Sequence, residues 1–208
     1  MDNRSRNILI VIFVAIAVAL TLVFVLKGEK RITNMDSKGS TIVAFGDSLV
    51  QGVGSTDGND FVSVLSRRIG RPIINLGVSG NTTADGLSRI DSALKQDPKI
   101  VILLLGGNDY LKKVPIDQTF DNLQRIVMAI HSKGSMVILL GVRGGLLKDN
   151  FEDRFRNFAK RNNVAFIPDV LDGIIYNKEF LSDSIHPNDI GYKMIADRVE
   201  PVLRELLF

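Results

Sequence analysis

The sequence predicts an α/β domain, a parallel sheet of five strands covered by helices on both faces, preceded by one membrane-spanning helix. Three observations carry the prediction. Five short apolar runs, β-branched or Leu-rich and lying next to Gly, Pro, Asn or Asp, read as buried strands. Stretches of helical periodicity separate them, which calls for right-handed crossovers and hence parallel pairing. Near the start, Ile8 to Leu26 is a run of 19 residues without a charge.

Taken in order, residues 1–7 form a short basic N-terminus holding Arg4 and Arg6. Residues 8–26, broken only by Thr21, would span roughly 28 Å as a helix, close to the ~30 Å hydrocarbon core of a bilayer. A buried core helix of this length would show some polar face. A cleaved signal peptide is the nearer rival, but its apolar region runs only about 7–15 residues and ends in small ones. Here Ala17 and Ala19 lie inside the run, with Leu20 to Leu26 still to follow, so an uncleaved anchor is favoured. Its orientation is open: Lys27, Lys30, Arg31 and Lys38 outnumber Arg4 and Arg6, which on a plain count keeps the body in the cytoplasm. A short basic N-terminus before a long apolar run argues instead for an exported body. Residues 27–40 (KGEKRITNMDSKGS) are polar and small, and read as a linker.

The domain proper is read as residues 41–208, long enough to bury roughly 70% of its unfolded surface around one core. Its strands are Thr41 to Phe45, Pro72 to Leu76, Ile100 to Leu105, Met136 to Leu140 and Val164 to Ile167. Helical spacing links Ala84, Leu87, Ile90 and Leu94, then Ile116, Phe120, Leu123, Val127 and Ile130, and later Phe151, Phe155 and Phe158. A last helix carries Ile195, Val199, Val202 and Leu206, with Pro201 placed to bend it.

Composition narrows the function. The net charge of +3 invites a nucleic-acid reading, but residues 1–40 hold 6 Lys+Arg against 3 Asp+Glu, leaving 20 of each in the body. A neutral body gives no basis for binding a phosphate backbone. With no cysteine there is no disulfide framework, thiolate metal site or cysteine nucleophile, and two histidines leave little room for a metal centre.

In a sheet of this kind ligands bind outside the carboxyl ends of the strands. Four blocks fall on that rim: Gly46-Asp47-Ser48-Leu49, Gly77-Val78-Ser79-Gly80-Asn81-Thr82, Gly106-Gly107-Asn108-Asp109 and Asp183-Ser184-Ile185-His186-Pro187. A serine hydroxyl is a poor nucleophile without a neighbouring base. His186 is the candidate base, since His131 closes an amphipathic helix and reads as a C-terminal helix residue. Asp183, one turn earlier in the same loop, can orient the imidazole. Acyl transfer also needs donors for the oxyanion, and Ser48 N–H, Gly80 N–H and the Asn108 side-chain amide can supply them. Each block alone has a plainer reading: Gly-Asp-Ser as a capped strand-to-helix turn, Gly-Gly-Asn-Asp as a tight turn, Asp-x-x-His-Pro as a loop before a helix. Asp47 and Asp109 read as turn anchors. The joint occurrence of the four blocks in this order is the signal.

These blocks resemble those of the SGNH, or GDSL, hydrolases, above all the small bacterial thioesterase/lysophospholipase/arylesterase branch, across nearly all of Thr41 to Phe208. The resemblance implies a three-layer, flavodoxin-like α/β/α sandwich and an esterase or lipase acting on acyl esters, thioesters and lysophospholipids among them, with no metal or organic cofactor. It implies Ser48 as nucleophile, Asp183 and His186 as acid and base, and an oxyanion hole from Ser48, Gly80 and Asn108. It also implies export, which favours a single-pass anchor with the catalytic domain outside the cytoplasm. Asn81 departs from the pattern, where the branch often has Asp. For the substrate, Tyr110 and Leu111 follow Asn108 closely enough to shape a pocket. Leu146 and Leu147 either line an acyl groove or cap the core, and Arg143 meets an anionic head group or stands as an unpaired surface arginine. An envelope-glycan O-acetyl esterase with a smaller, more polar pocket is the alternative enzyme. An inactive membrane-tethered binding module is the alternative of another class.

Overall fold

In the computed structural model, the residues described are 12–14, 16, 32–143 and 150–208. Five strands, β1 (Thr41–Gly46), β2 (Ile73–Gly77), β3 (Pro98–Leu104), β4 (Met136–Leu140) and β5 (Ala165–Ile167), pair in parallel in the order β2-β1-β3-β4-β5. The order reverses between β1 and β3, the topological switch point at which open α/β sheets place their ligands. Every residue of β4 and all but one of β1 and of β3 are buried, as expected of strands covered on both faces.

The helices are α1 (Ser48–Gln51), α2 (Phe61–Ile69), α3 (Thr83–Ser88), α4 (Asp91–Leu94), α5 (Gly107–Leu111), α6 (Ile116–Ser132), α7 (Asn150–Asn162) and α8 (Asp189–Leu207). Helix α2 packs on α8, and α3 packs on α6, which also meets α7. Phe45, Phe61, Leu123, Phe155 and Ile195 are among the side chains buried where these helices cover the sheet. The five predicted strands are all present, β4 with the ends read for it and the others with one or both ends displaced by one or two residues.

Two helical readings change. The spacing through Ala84, Leu87, Ile90 and Leu94 belongs to two short helices rather than one, because Arg89 closes α3 at φ −115°. Helix α2 was not anticipated, although Asp60 caps its start, Gly70 ends it at φ +66°, and Phe61, Val62, Val64, Leu65 and Ile69 form its buried face. The compact unit runs from Ile32 to Phe208. Residues 33–40, read as linker, are bonded to it: Thr33 N–H donates to Asn163 O, Asn34 Nδ2 to His131 O and Ser135 O, and Ser40 Oγ to Asp97. Among the described residues no helix is long and apolar enough to cross a membrane. The predicted span, residues 8–26, lies outside them except for 12–14 and 16.

Candidate active site

Strand β1 ends at Gly46 and the chain turns at once into α1, with Asp47 as its cap: the carboxylate accepts from Leu49 N–H at 3.0 Å. This places Ser48 at the first helical position, beside the mouth of a cavity, with 8% of its surface exposed. The turn is tight enough to press on the neighbouring strand. A Cβ on Gly77, at the end of β2, would lie 2.0 Å from Gln51 N, so only glycine fits there.

The histidine arrives from far along the chain on a turn that closes on itself. Leu181 and Pro187 form an antiparallel bridge, Ser182 N–H donates to His186 O, and Asn188 caps α8 while its Nδ2 donates to Glu179 O. His186 Nε2 lies 3.1 Å from Ser48 Oγ, and Nδ1 lies 2.7 Å from Asp183 Oδ2. Asp183 Oδ1 accepts the Ile185 and His186 amides, both at 2.8 Å. The His186 ring and these two amides hold the Asp183 carboxyl down at about 2, so it stays ionised and fixes the imidazole tautomer. The turn is seated against the loop after α1: Tyr192 Oη donates to Val53 O, and Thr56 donates through N and Oγ1 to Asp189.

Strand β3 delivers Asn108. Its Nδ2 donates to Asn81 O at 3.0 Å and lies 3.4 Å from Asp47 Oδ2, which sets the amide between the β1 turn and the loop after β2. Below it Asp109 is fully buried, accepting from Thr83 N–H at 2.8 Å, Thr83 Oγ1 at 2.5 Å and Thr119 Oγ1 at 3.3 Å. This network pins the start of α5 to α3 and α6, the anchoring role read for Asp109. Gly80 has φ +77° and a Cβ there would meet nothing within 4 Å. It does not line the cavity; it joins the group through its neighbour Asn81. Among the described residues, neither the Ser48 nor the Gly80 amide donates to an acceptor, leaving both free for a ligand oxygen.

Asp47 is more than a cap. Burial pushes its carboxyl up to about 7, against the pull of the Leu49 amide and the His186 ring, so a proton is exchanged there near neutrality.

The cavity, about 470 Å³, opens over Ser48, Asn108 and His186. Leu49, Tyr110, Leu111, Val142, Leu171, Ile175, Tyr176 and Ile185 make its wall mostly apolar. Tyr110 thus stands where the sequence suggested; Leu146 and Leu147 lie outside the described residues. The reading of Arg143 as unpaired is corrected: it lines the cavity with Nε 3.1 Å from Asp169 and 3.6 Å from Glu152. Sequence reasoning missed Leu171, Ile175 and Tyr176, which come from an irregular stretch with no periodicity to betray them. It also missed Arg89, whose contacts are taken up below.

A sheet whose switch point carries a serine within reach of a carboxylate-held histidine has the framework of an acyl-transfer hydrolase. Residues 44–194 match the model of the GDSL-like lipase/acylhydrolase family, and the chain belongs to that family; it is an acyl-ester hydrolase of the SGNH type. The esterase TesA of Pseudomonas aeruginosa is 27% identical over 179 residues, 80% of this chain and 89% of that one. The thioesterase 1/protease 1/lysophospholipase L1 of Escherichia coli K12 is 27% identical over 176 residues, 80% of this chain and 85% of its own. A crystal structure of TesA matches at a TM-score of 0.74 and 27% identity, over 80% of this chain and 99% of that one.

Proposed function

We propose that the chain is a serine esterase for esters with an apolar acyl group, thioesters and lysophospholipids included, using Ser48 as nucleophile. The observation that carries this is the bonded series Asp183–His186–Ser48, at 2.7 and 3.1 Å, at the mouth of an apolar cavity. Ser48 Oγ attacks the acyl carbon as His186 Nε2 takes its proton, and the carbonyl π pair moves onto oxygen. Ser48 N–H, Gly80 N–H and Asn108 Nδ2 receive that oxyanion. Its collapse expels the alkoxide or thiolate, which leaves with the proton from His186. Water then gives a proton to His186 and its oxygen to the acyl group, releasing the acid and restoring the Ser48 hydroxyl. Each step needs only groups of this chain and water.

Ser48→Ala should bring hydrolysis of a p-nitrophenyl ester close to background and abolish labelling by a fluorophosphonate. Retained labelling elsewhere on the chain would move the nucleophile. The apolar wall favours longer acyl groups: each methylene buried contributes about 0.8 kcal/mol, roughly fourfold in kcat/KM. Decanoyl esters should therefore outrun acetyl esters, and the reverse order would indicate an O-acetyl esterase. We further propose that residues 8–26 anchor residues 41–208 outside the cytoplasm, on the strength of the charge-free run and the basic N-terminus; protease accessibility in sealed cells tests it.

A further inference from the structure

We infer that Arg89 is a positioning residue for the oxyanion hole, one guanidinium holding the segments that carry all three proposed donors. The inference rests on the esterase reading above. Arg89 sits at the break between α3 and α4, and its side chain reaches back under the site. Nη2 donates to Gly46 O at 2.7 Å, Nη1 to Leu76 O at 3.0 Å and Nε to Asn81 Oδ1 at 2.6 Å. The guanidinium carbon lies 4.1 Å from the centre of the Phe45 ring.

Each contact leads to a donor. Gly46 is the last residue of β1, two before Ser48, so holding its carbonyl fixes the peptide unit just before the one that carries the Ser48 amide, and the same oxygen accepts Val78 N–H at 3.0 Å from the loop after β2. Leu76 and Asn81 bracket the loop that presents Gly80. Asn81 turns its main-chain oxygen to Asn108 Nδ2 at 3.0 Å, which orients the third donor. The fork geometry of a guanidinium can satisfy three such acceptors at once, whereas an ammonium cannot span them.

The environment is unusual for a cation that serves stability alone. Among the described residues no carboxylate lies at ion-pairing distance; two carbonyls, one amide oxygen and a ring face contact the half-buried guanidinium, and the Asp85 and Asp47 carboxyls act on it only from farther away. Withdrawing a charge from water for neutral partners is costly, and a well-packed apolar side chain against Phe45 would serve the fold as well. An apolar residue could not hold three acceptors in register to within the fraction of an ångström that an oxyanion hole demands.

The test uses the full chain and three readouts: steady-state kinetics on a p-nitrophenyl ester, melting temperature, and the rate of Ser48 labelling by a fluorophosphonate. Arg89→Ala should lower kcat by about 10- to 100-fold with KM within about twofold, since donor alignment acts on the transition state. Labelling should slow in parallel, and millimolar guanidinium should restore part of kcat where ammonium does not. Arg89→Lys should stay closer to Arg89→Ala than to the parent. Unchanged kcat, or a loss that follows melting temperature and that guanidinium does not relieve, overturns the inference. Should Arg89→Ala fail to fold, Asn81→Ala keeps Arg89 on Gly46 and Leu76 and removes only the 2.6 Å link. A severalfold fall in kcat at constant KM supports the relay, and parent kinetics overturn it. Ser48→Ala run alongside separates the two failures: if it still labels and turns over, the esterase reading falls, whatever Arg89 does.

Discussion

Asp47 directly precedes Ser48, and Asp183 precedes His186 by three residues, yet their carboxyl groups are governed by opposite forces. Asp47 is 2% exposed, and desolvation carries it up to about 7. The Asp183 side chain is 52% exposed, and hydrogen bonds to the His186 ring and two amides carry it down to about 2. Exposure alone would leave Asp183 near its ordinary value; the donors of a tight turn lower it further. The comparison shows why the acid partner of the histidine belongs on the exposed turn. A carboxylate that must remain charged beside an imidazolium needs hydrogen-bond donors that outweigh any burial, and the turn supplies them to Asp183. The β1 rim is built for placement and the 181–188 turn for charge.

The largest expected effect breaks the charged side. Asp183→Asn keeps the Oδ1 acceptor for the Ile185 and His186 amides and removes the negative charge facing Nδ1. It should cost on the order of 10⁴ in kcat, as loss of the tautomer-fixing carboxylate does in triads generally. Melting temperature should also fall modestly at neutral pH, because the charged carboxylate's bonds to His186 and the two amides stabilise the folded turn there. A loss under tenfold would mean that another carboxylate serves His186, and Asp47 would be the first to examine.

Next comes the placed side. Asn108→Ala should cost on the order of 10²–10³ in kcat, and a loss confined to KM would make the amide a binding group instead. Beneath it, Thr83→Val strips Asp109 of its 2.5 Å hydroxyl donor while keeping shape. Leaving a buried carboxylate short of a donor should cost about 1–3 kcal/mol, read as a lower melting temperature before any change in KM.

How much of this could be read from sequence divides along the same line. The strand ends and the first three blocks were readable because each is local: an apolar run stops, a glycine marks the turn, and the candidate residue follows within three positions. Asp183 and His186 were readable as a pair for that reason, sharing one short turn. The compact unit's start at Ile32 was hidden, since polar residues such as Asn34 bond to main-chain groups about 100 positions away. Helix α2 is marked in the sequence by Asp60 at its start and Gly70 at its end, around the apolar positions Phe61, Val62, Val64, Leu65 and Ile69. Arg89 looks like any polar residue on an amphipathic helix, and its three acceptors come from β1, β2 and the loop after β2. The wall residues Leu171, Ile175 and Tyr176 share one irregular segment whose facing is set by the fold. Chemistry carried by a local turn announces itself; support assembled across strands does not.

The smallest effect sharpens the comparison at Asp47 itself. Its folded carboxyl lies above the unfolded value, so it favours the folded state at low pH, and that contribution is lost as pH rises from about 4 through about 7. Asp183 has the opposite sign: its contribution is present above the ordinary carboxyl value of 3.8 and is lost only as pH falls toward about 2. Asp47→Asn keeps the Oδ1 acceptor for Leu49 N–H and mimics the protonated acid. The variant should therefore melt higher than the parent at pH 8, and the two curves should converge as pH drops below about 5. In the pH–rate profile, the variant should lack the inflection that Asp47 contributes near neutrality. If the melting difference is the same at pH 5 and pH 8, the Asp47 carboxyl carries its charge throughout that range, and burial on the β1 rim is weaker than 2% exposure implies.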